Sequence, residues 1–569
     1  MILRRLYLYL VSAAGLGLLA AGLALLGTTA LVFIFNTPYS SDPSYRAQLA
    51  IYTAMTLVAL PVWGVHFWFA RRFAMRDPAE RASALRRLYL YLACLAAATG
   101  FMIAVAITAA DLLRPLIDTC PPPGPQNGGL KVGYQPYCGA QADWLATSQA
   151  GWIALVLLAI WAFHFVIAAG DRAAAGESGA SATLRRWYMY AVLLVGLLAM
   201  LSGASSLLEV AWLKGWRSSL GDYRYLGDAA GLFIAGLLVW GFHALTIARN
   251  HVADDRHSTL RALQGFIAVA VSIGTALFGA SQILYYGLAK ALGVEHPSGV
   301  GNDVLGAVAA PGSQLLVYGT AWFFVRRRLA RDARAQEGDR QAGLRRLYTN
   351  LVALVSLGAG AIGAGGLLWT LAEQLEAPII GVKATDWRDP VSLWLTLLLV
   401  GGAVWLAHWR PAPWAEDRQA LSRRLYVWAA LLACVLVMLG GGVGMLYAVL
   451  RQVFSANPRV SDTANLDFGH YLAVIIVAAA VGFYHWKVLR ADAAARPPKL
   501  APAPALVTDA APVPVAAIQP TAPANSHSHR YVLAITDATE DDVHQALANL
   551  PPHASYKLTP AEHGPVDDR

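Results

Sequence analysis

Five histidines recur in the same local pattern and are the residues most able to carry chemistry. The pattern is Trp-x-x-His, usually followed by another aromatic residue, as in Trp63…His66 and Trp161…His164; the last copy keeps His485-Trp486 but has Gly482 in place of the first Trp. The five histidines are His66, His164, His243, His408 and His485. A neutral imidazole is a common ligand of haem iron and of other metals, and a histidine in an apolar helix can also bind a chlorophyll-type pigment. One hypothesis is therefore a haem or pigment site.

The location of these histidines along the chain favours a structural role. Each lies a few residues from a basic flank, as His66 does before Arg71 and His485 before Lys487. At about 1.5 Å per helical residue, the imidazoles lie near the lipid headgroups, where Trp and Tyr also concentrate. We interpret them as an interfacial polar ring or as hydrogen-bond partners of a neighbouring hairpin. No cofactor and no metal ion is predicted, and haem or pigment remains the alternative.

No other pattern supplies a catalytic site. The apolar segments contain no Ser-His-Asp set, no paired carboxylates, no His-x-x-x-His pattern and no Walker loop. Asp111, Glu209 and Glu373 lie where apolar segments end, not in their middle. Coupled transport and proton relay usually need an ionisable group inside a span. The sequence therefore predicts that the protein is not an enzyme, and it argues against ion-driven transport.

The elements that position the histidines are repeated apolar segments. The chain has 569 residues, of which 57% are hydrophobic and 14% charged, whereas a soluble chain carries about 25% charged residues. The octapeptide Leu3–Leu10 recurs letter for letter at Leu85–Leu92. Weaker copies begin at Leu184, Leu260, Leu344 and Ser422. Each copy opens a unit with two apolar stretches of about the length of a membrane span. We predict an all-α integral membrane fold of about twelve transmembrane helices in six tandem two-helix repeats.

The repeats and the change of composition after them set the predicted domain boundaries. The six membrane repeats cover residues 1–82, 83–181, 182–257, 258–340, 341–419 and 420–490. Residues 491–529 are rich in Ala and Pro and are predicted to be a linker. Residues 530–569 are predicted to form a short cytosolic α/β element with a disordered end, which could bind a protein partner.

The distribution of the basic residues predicts the orientation. Most of the 44 Lys and Arg residues lie between hairpins rather than within them, so the positive-inside rule places both termini in the cytoplasm of a multi-pass cell-membrane protein. The net charge of +9 lies in short blocks between apolar runs, which indicates a bilayer with anionic headgroups as partner and no nucleic acid. The candidate headgroup contacts are Arg4, Arg5, Arg86, Arg87, Arg185, Arg186, Arg345, Arg346, Arg423 and Arg424.

Two cysteines share the longest predicted external loop. Cys120 and Cys138 lie between the two apolar stretches of the second repeat. Thiols on the oxidising side of a membrane can form a loop-closing disulfide, which is the favoured interpretation. Two free thiols, or pairing with a partner, are the alternatives.

The combination of an Arg-Arg-Leu-Tyr-Leu-Tyr start, a long apolar helix and a Trp-x-x-His-Trp end resembles a bacterial membrane family known as domain of unknown function 5671. The resemblance covers most of residues 3–490 as about six tandem copies and implies an integral membrane repeat. It implies no known activity, substrate or catalytic residue. The fourth unit departs from the pattern, because it has Tyr318…Ala321 in place of Trp-x-x-His and only Arg261 in place of the arginine pair.

Three functional hypotheses follow. The first is a membrane scaffold or a subunit of a larger complex, which holds partners through its basic face and its C-terminal module. The second is a transporter or channel for a neutral or apolar solute. The third is a haem- or pigment-binding membrane protein that uses the repeated histidines as ligands.

Overall fold

The computed structural model describes residues 2–117, 143–216, 226–297, 303–335, 339–379, 381, 383–411, 413, 415–454 and 458–495. Within these ranges the chain is helical and forms no strand. A helix satisfies every backbone group within its own segment, which is the arrangement that apolar segments need in hydrocarbon. The predicted all-α membrane fold is therefore confirmed for the described part of the chain.

Twelve long helices of the described residues pair into six antiparallel hairpins, each made of two consecutive helices. They are α1 (Ile2–Ile34), α2 (Pro43–Arg76), α3 (Ala84–Ile117), α4 (Trp144–Ala175), α5 (Gly179–Gly215), α6 (Leu226–Asn250), α7 (Thr259–Ala291), α8 (Ala309–Ala335), α9 (Asp339–Ile379), α10 (Arg388–His408), α11 (Leu421–Phe454) and α12 (Pro458–Ala494). Twelve helical segments of the described residues are long and hydrophobic enough to cross a membrane. These are the properties of a multi-pass membrane protein.

The hairpins contact one another in chain order. The first helix of each hairpin packs against its own second helix and against the second helix of the following hairpin. These cross-hairpin pairs are α1 with α4, α3 with α6, α5 with α8, α7 with α10, and α9 with α12. Successive first helices are also in contact. We call the end at which each first helix begins and each second helix finishes the arginine end.

Polar residues start several of these helices. The Asp42 carboxylate accepts the backbone N–H of Ser44 at 2.8 Å at the start of α2. At the start of α4, Asp143 accepts the N–H groups of Leu145 and Ala146. The first N–H groups of a helix have no partner inside it, so these carboxylates satisfy donors that would otherwise lack one.

Small residues allow close approach between α9 and α10. A Cβ atom at Gly363 would overlap the backbone nitrogen of Leu398, and a Cβ at Gly401 would overlap the backbone of Gly360. Glycine at these positions lets the two backbones meet directly, as small residues do between membrane helices. The glycines of α9 therefore serve helix packing in the fifth hairpin.

The buried apolar core is uneven along the chain. The larger cluster joins hairpins 1 to 3 and includes Tyr9, Leu90 and Tyr188. A smaller cluster joins hairpins 5 and 6 around Trp409 and Tyr426. Tyrosines from the start of the first helices are buried members of both clusters, so the arginine end contributes to the core.

Three sequence predictions concern residues beyond these ranges. The candidate disulfide between Cys120 and Cys138 lies outside the described residues, as does the predicted α/β element at 530–569. The linker was predicted to begin at residue 491, but α12 continues to Ala494. The remainder of the linker from residue 496 also lies outside the described residues.

Candidate functional site

Each of the five repeated histidines is oriented by its own helix. Its Nδ1 atom lies within hydrogen-bond distance of the backbone carbonyl four residues earlier. The distances are 2.7 Å for His66 to Val62, 2.7 Å for His164 to Ile160, 2.8 Å for His243 to Val239, 2.9 Å for His408 to Val404 and 2.8 Å for His485 to Val481. A carbonyl oxygen can only accept, so Nδ1 carries the proton and Nε2 of the neutral ring is the acceptor.

A tyrosine hydroxyl from the first helix of the same hairpin donates to Nε2 of four of these histidines. The pairs are Tyr7 with His66 at 3.1 Å, Tyr89 with His164 at 3.1 Å, Tyr188 with His243 at 2.9 Å, and Tyr426 with His485 at 2.9 Å. Each tyrosine is the first one after the arginine pair. The repeated Arg-Arg-x-Tyr and Trp-x-x-His patterns therefore meet at the arginine end.

Tryptophan extends three of these pairs to the preceding hairpin. The indole Nε1–H donates to the tyrosine hydroxyl of the next hairpin, from Trp63 to Tyr89 at 3.0 Å, from Trp161 to Tyr188 at 2.8 Å and from Trp405 to Tyr426 at 2.9 Å. We call each Trp–Tyr–His chain a latch. The three latches are Trp63–Tyr89–His164, Trp161–Tyr188–His243 and Trp405–Tyr426–His485, and they join hairpins 1 to 2, 2 to 3 and 5 to 6.

The latches use both ring nitrogens of their histidines. His164, His243 and His485 are buried, and a buried polar group without a partner costs about 1–3 kcal/mol. A metal or pigment at Nε2 would have to displace the tyrosine hydroxyl that already donates there. Within the described ranges, no group of three or more His, Cys, Asp or Glu side chains is placed to hold a metal ion. The geometry therefore supports hydrogen bonding between hairpins.

Buried arginines form a second set of contacts beside the latches. Arg86 donates from Nε to Asp171 at 2.6 Å, and Arg423 donates from Nε to Asp492 at 2.7 Å. In each case the aspartate lies in the second helix of the same hairpin. The Arg86 and Arg423 side chains are only 1% and 4% exposed, so each needs its charged partner in the interior.

Asp255 binds two adjacent arginines and a tyrosine. It accepts both Nη atoms of Arg185 at 3.1 and 2.9 Å, Nε of Arg186 at 2.7 Å and the Tyr190 hydroxyl at 3.0 Å. Burial alone would raise the pKa of Asp255, but hydrogen bonds from the two guanidiniums outweigh burial and lower it. The carboxylate is therefore ionised at neutral pH and holds the start of α5.

Glu177 links two consecutive hairpins in the same way. It accepts Arg87 of hairpin 2 at 3.3 Å and Arg185 of hairpin 3 at 2.8 Å. The hydroxyl of Tyr91 also donates to it. One carboxylate therefore neutralises arginines from two repeats, which adds an ionic connection beside the Trp161–Tyr188–His243 latch.

The structure divides the ten arginines that were candidates for lipid contact. Arg86, Arg87, Arg185 and Arg423 are buried, and each of them bonds to a carboxylate. Contrary to the prediction, their guanidiniums are not available to headgroups. The other six are at least partly exposed, namely Arg4, Arg5, Arg186, Arg345, Arg346 and Arg424. Headgroup contact stays a prediction for those six.

Sequence reasoning missed the carboxylates that hold the arginines. They are Glu80, Asp171, Glu177, Asp255, Asp332, Asp417 and Asp492. A spacing signal existed, because Asp171 follows His164 by seven residues and Asp492 follows His485 by seven. Two helical turns therefore separate the latch from the ion pair on one helix.

That spacing also corrects the alignment of the fourth hairpin. Asp332 pairs with Arg261 at 2.8 Å, as Asp171 does with Arg86, and it follows Val325 by seven residues. Val325, and not Ala321, therefore occupies the histidine position, and Trp322 occupies the tryptophan position. With this alignment the fourth hairpin still lacks a histidine at that position. The tyrosine position is taken by Gln264, which accepts Arg328 at 2.7 Å.

A cavity of about 930 Å³ lies between hairpins 4 and 5. Trp322, Tyr348 and His408 line it, and these are the residue types of a latch. The rings of Tyr348 and His408 are 6.4 Å apart, and no hydrogen bond from the described residues reaches the Tyr348 hydroxyl or Nε2 of His408. Here the three positions face an open space.

The fold and these contacts define a class, namely an all-helical multi-pass membrane protein whose hairpins are joined by buried polar side chains. Two segments, residues 5–133 and 346–480, match one family model, described as Domain of unknown function (DUF5671). The chain therefore contains two copies of this domain, and the family resemblance is confirmed. Each match is longer than one hairpin, since the second runs from α9 into α12, so six copies are not confirmed. No curated protein and no solved structure matches the chain.

Proposed function

We propose that the protein is a membrane scaffold or a subunit of a larger complex. The observation that supports this proposal is that the repeated polar side chains bond to one another and hold the helices together. The Trp side chains bond to the tyrosine of the following hairpin, and the His and buried Arg side chains that could have served chemistry bond to other side chains of the bundle. A fully satisfied buried polar network gives rigidity and a defined arrangement of elements.

The proposed platform has two surfaces for partners. Six repeated arginines are at least partly exposed at the arginine end, which the distribution of charge predicts to face the cytoplasm. The predicted C-terminal module follows the last helix in the sequence and is predicted to be cytosolic. Protein partners would bind this module, and anionic lipid headgroups would contact the exposed arginines.

The experiment compares the full chain with a chain that ends at Pro497, the boundary of the helical unit. Both are purified from their native membrane in mild detergent and weighed by native mass spectrometry. We expect the full chain to carry a second protein in fixed stoichiometry and the shortened chain to lack it. If both forms are recovered only as this one chain, the proposal is contradicted. A Soret or pigment band in the same samples would instead favour the cofactor hypothesis.

A second candidate is a transporter or channel for an apolar solute. It is favoured by a cavity of about 850 Å³ among α9, α10, α11 and α12. The lining is almost wholly apolar and includes Ile362, Trp369, Trp394 and Val437. A pocket of this size and character suits a small apolar molecule.

The transport candidate is tested by flux into liposomes that contain the purified protein. A Gly365→Trp variant fills the cavity at a glycine that has open space around the position of a Cβ, and Gly343→Trp is the matched control in the same helix outside the cavity lining. Uptake of an apolar dye that only Gly365→Trp abolishes would support transport. Equal uptake in protein-free liposomes would exclude it.

A further inference from the structure

The cavity between hairpins 4 and 5 combines strong positive charge with a long apolar wall. Four exposed arginines line it at the arginine end, namely Arg256, Arg326, Arg345 and Arg410. Among the described residues that line it, the only carboxylate is Asp332, and Arg261 already pairs with it. Arg256, Arg326 and Arg410 therefore make the described part of the lining positive and complementary to an anion.

The apolar wall continues the cavity along α7. Phe266, Val269, Ile273 and Leu277 line it, and their spacing of three or four residues places them on one helix face. From Arg261 to Leu277 the helix rises about 24 Å, which is a large part of the roughly 30 Å hydrocarbon core. A ligand that fills the cavity must therefore be charged at one end and apolar along its length.

We propose that this cavity binds one anionic phospholipid, with its phosphate among the arginines and an acyl chain along α7. Guanidinium groups match phosphate oxygens with paired hydrogen bonds. Several arginines around one site favour a phosphate over the single charge of a fatty-acid carboxylate. The Tyr348 hydroxyl and Nε2 of His408 supply two further polar atoms at the wall of the same cavity.

The unclosed latch explains why the site is at this junction. At the other junctions with a full set of residues, tryptophan, tyrosine and histidine bond to one another. Here Trp322 is in contact with Arg326, whose guanidinium lies 5.1 Å from the ring. The residues that close the other junctions are therefore available to a ligand. This binding site is independent of whether the protein is a scaffold or a transporter.

The test titrates detergent-purified full-length protein with phosphatidic acid and counts bound lipid by native mass spectrometry. The lipid-site variant is Arg326→Gln with Arg410→Gln, two exposed arginines that form no ion pair with any described residue. The control is Arg327→Gln with Arg424→Gln, two exposed arginines that do not line the cavity. Both variants lose the same charge from the same end of the bundle.

We expect one phosphatidic acid per chain and at least about a tenfold weaker affinity in the lipid-site variant, since hydrogen bonds to charged groups contribute about 1.5–3 kcal/mol and 1.4 kcal/mol is tenfold. The control should change affinity by less than about twofold. Equal weakening in the two variants would reduce the effect to general surface charge and overturn the proposal.

Three further measurements distinguish an anionic phospholipid from free phosphate, from a fatty acid and from a neutral phospholipid. Phosphatidylcholine should bind more weakly than phosphatidic acid, and inorganic phosphate and oleate should compete poorly. A Val352→Trp variant, which fills the apolar part of the cavity and leaves every arginine in place, should also abolish the bound lipid while the unfolding temperature stays near that of wild type. Tight binding of inorganic phosphate, of oleate or of phosphatidylcholine, or retention of the lipid by a folded Val352→Trp variant, would overturn the proposal.

Discussion

The junction between hairpins 2 and 3 and the junction between hairpins 4 and 5 carry the same residue types at equivalent positions. In the first, Trp161 donates to Tyr188 and Tyr188 donates to His243. In the second, Tyr348 and His408 have no bond to each other, and a cavity of about 930 Å³ opens beside them. The motif is therefore not sufficient for a closed joint, because the same residue types bond to one another at the first junction and do not at the second.

The two junctions differ in whether their polar side chains have hydrogen-bond partners within the protein. A closed latch satisfies each buried polar atom within the protein, which stabilises the contact between hairpins. An open junction leaves polar atoms and arginines available to an outside molecule. We infer that the repeat serves as a joint where it is closed and as a binding site where it is open.

The largest effect is expected from Asp255→Ala. The change removes the common carboxylate of Arg185 and Arg186 and leaves the buried Arg185 guanidinium with Glu177 only, and removing one partner of a buried ion pair costs about 3–5 kcal/mol of unfolding free energy. Asp417→Ala is the matched control, because the ion pair of Asp417 with Arg346 is about one-third exposed on both sides and such pairs contribute less than about 1 kcal/mol. Thermal unfolding in one detergent compares the two, and equal losses would contradict the account.

The two adjacent arginines of hairpin 6 should respond very differently. Arg423 bonds to Asp492 and to the backbone carbonyls of Arg410 and Pro411, so Arg423→Gln should cost about 1.5–3 kcal/mol. Arg424 is exposed, and Arg424→Gln should change stability by less than about 0.5 kcal/mol. The same unfolding assay measures both, and a destabilised Arg424→Gln protein would show that exposure does not separate them.

Loss of one hydroxyl should distinguish the closed junction from the open one. Tyr188→Phe leaves Nε2 of His243 and the Trp161 indole without their partner, which should cost about 1–3 kcal/mol. Tyr348→Phe removes a hydroxyl that bonds to none of the described residues, so the change should stay within about 0.5 kcal/mol. If the two substitutions gave the same unfolding temperature, the latch would have no energetic role.

Acidification should weaken the charged joint through Asp255. Its pKa is lower in the folded protein than in the unfolded chain, so its contribution is present above the unfolded value of about 3.9 and is lost as the pH falls through the folded value. We expect the unfolding temperature of wild type to fall more steeply than that of Asp255→Asn between about pH 5 and pH 3. Parallel curves would remove Asp255 as a source of acid sensitivity.

Much of the fold follows from the sequence, because apolar length and repeated motifs determine helices in a membrane. Hydrogen bonding of the histidines to a neighbouring hairpin was one of the predicted interpretations. In the structure the histidines bond to a tyrosine of their own hairpin, and the tryptophan of the preceding hairpin bonds to that tyrosine. The burial of Arg86 and Arg423 could not be read from their position at a helix start, since it depends on Asp171 and Asp492 in the second helices. The cavity could not be predicted either, because the sequence pattern assigned Tyr318 and Ala321 to the Trp and His positions of the fourth unit. The alignment with Trp322 and the missing bond between Tyr348 and His408 are visible only in the structure.

The most direct test of the account is a pair of double-mutant cycles on unfolding free energy. The first cycle combines Trp161→Phe with Tyr188→Phe across the closed junction, and the second combines Trp322→Phe with Tyr348→Phe across the open one. The account predicts a coupling energy of at least about 0.5 kcal/mol in the first cycle and none in the second. A first cycle without coupling, or equal coupling in both, would contradict the claim that the Trp–Tyr–His chains join consecutive hairpins.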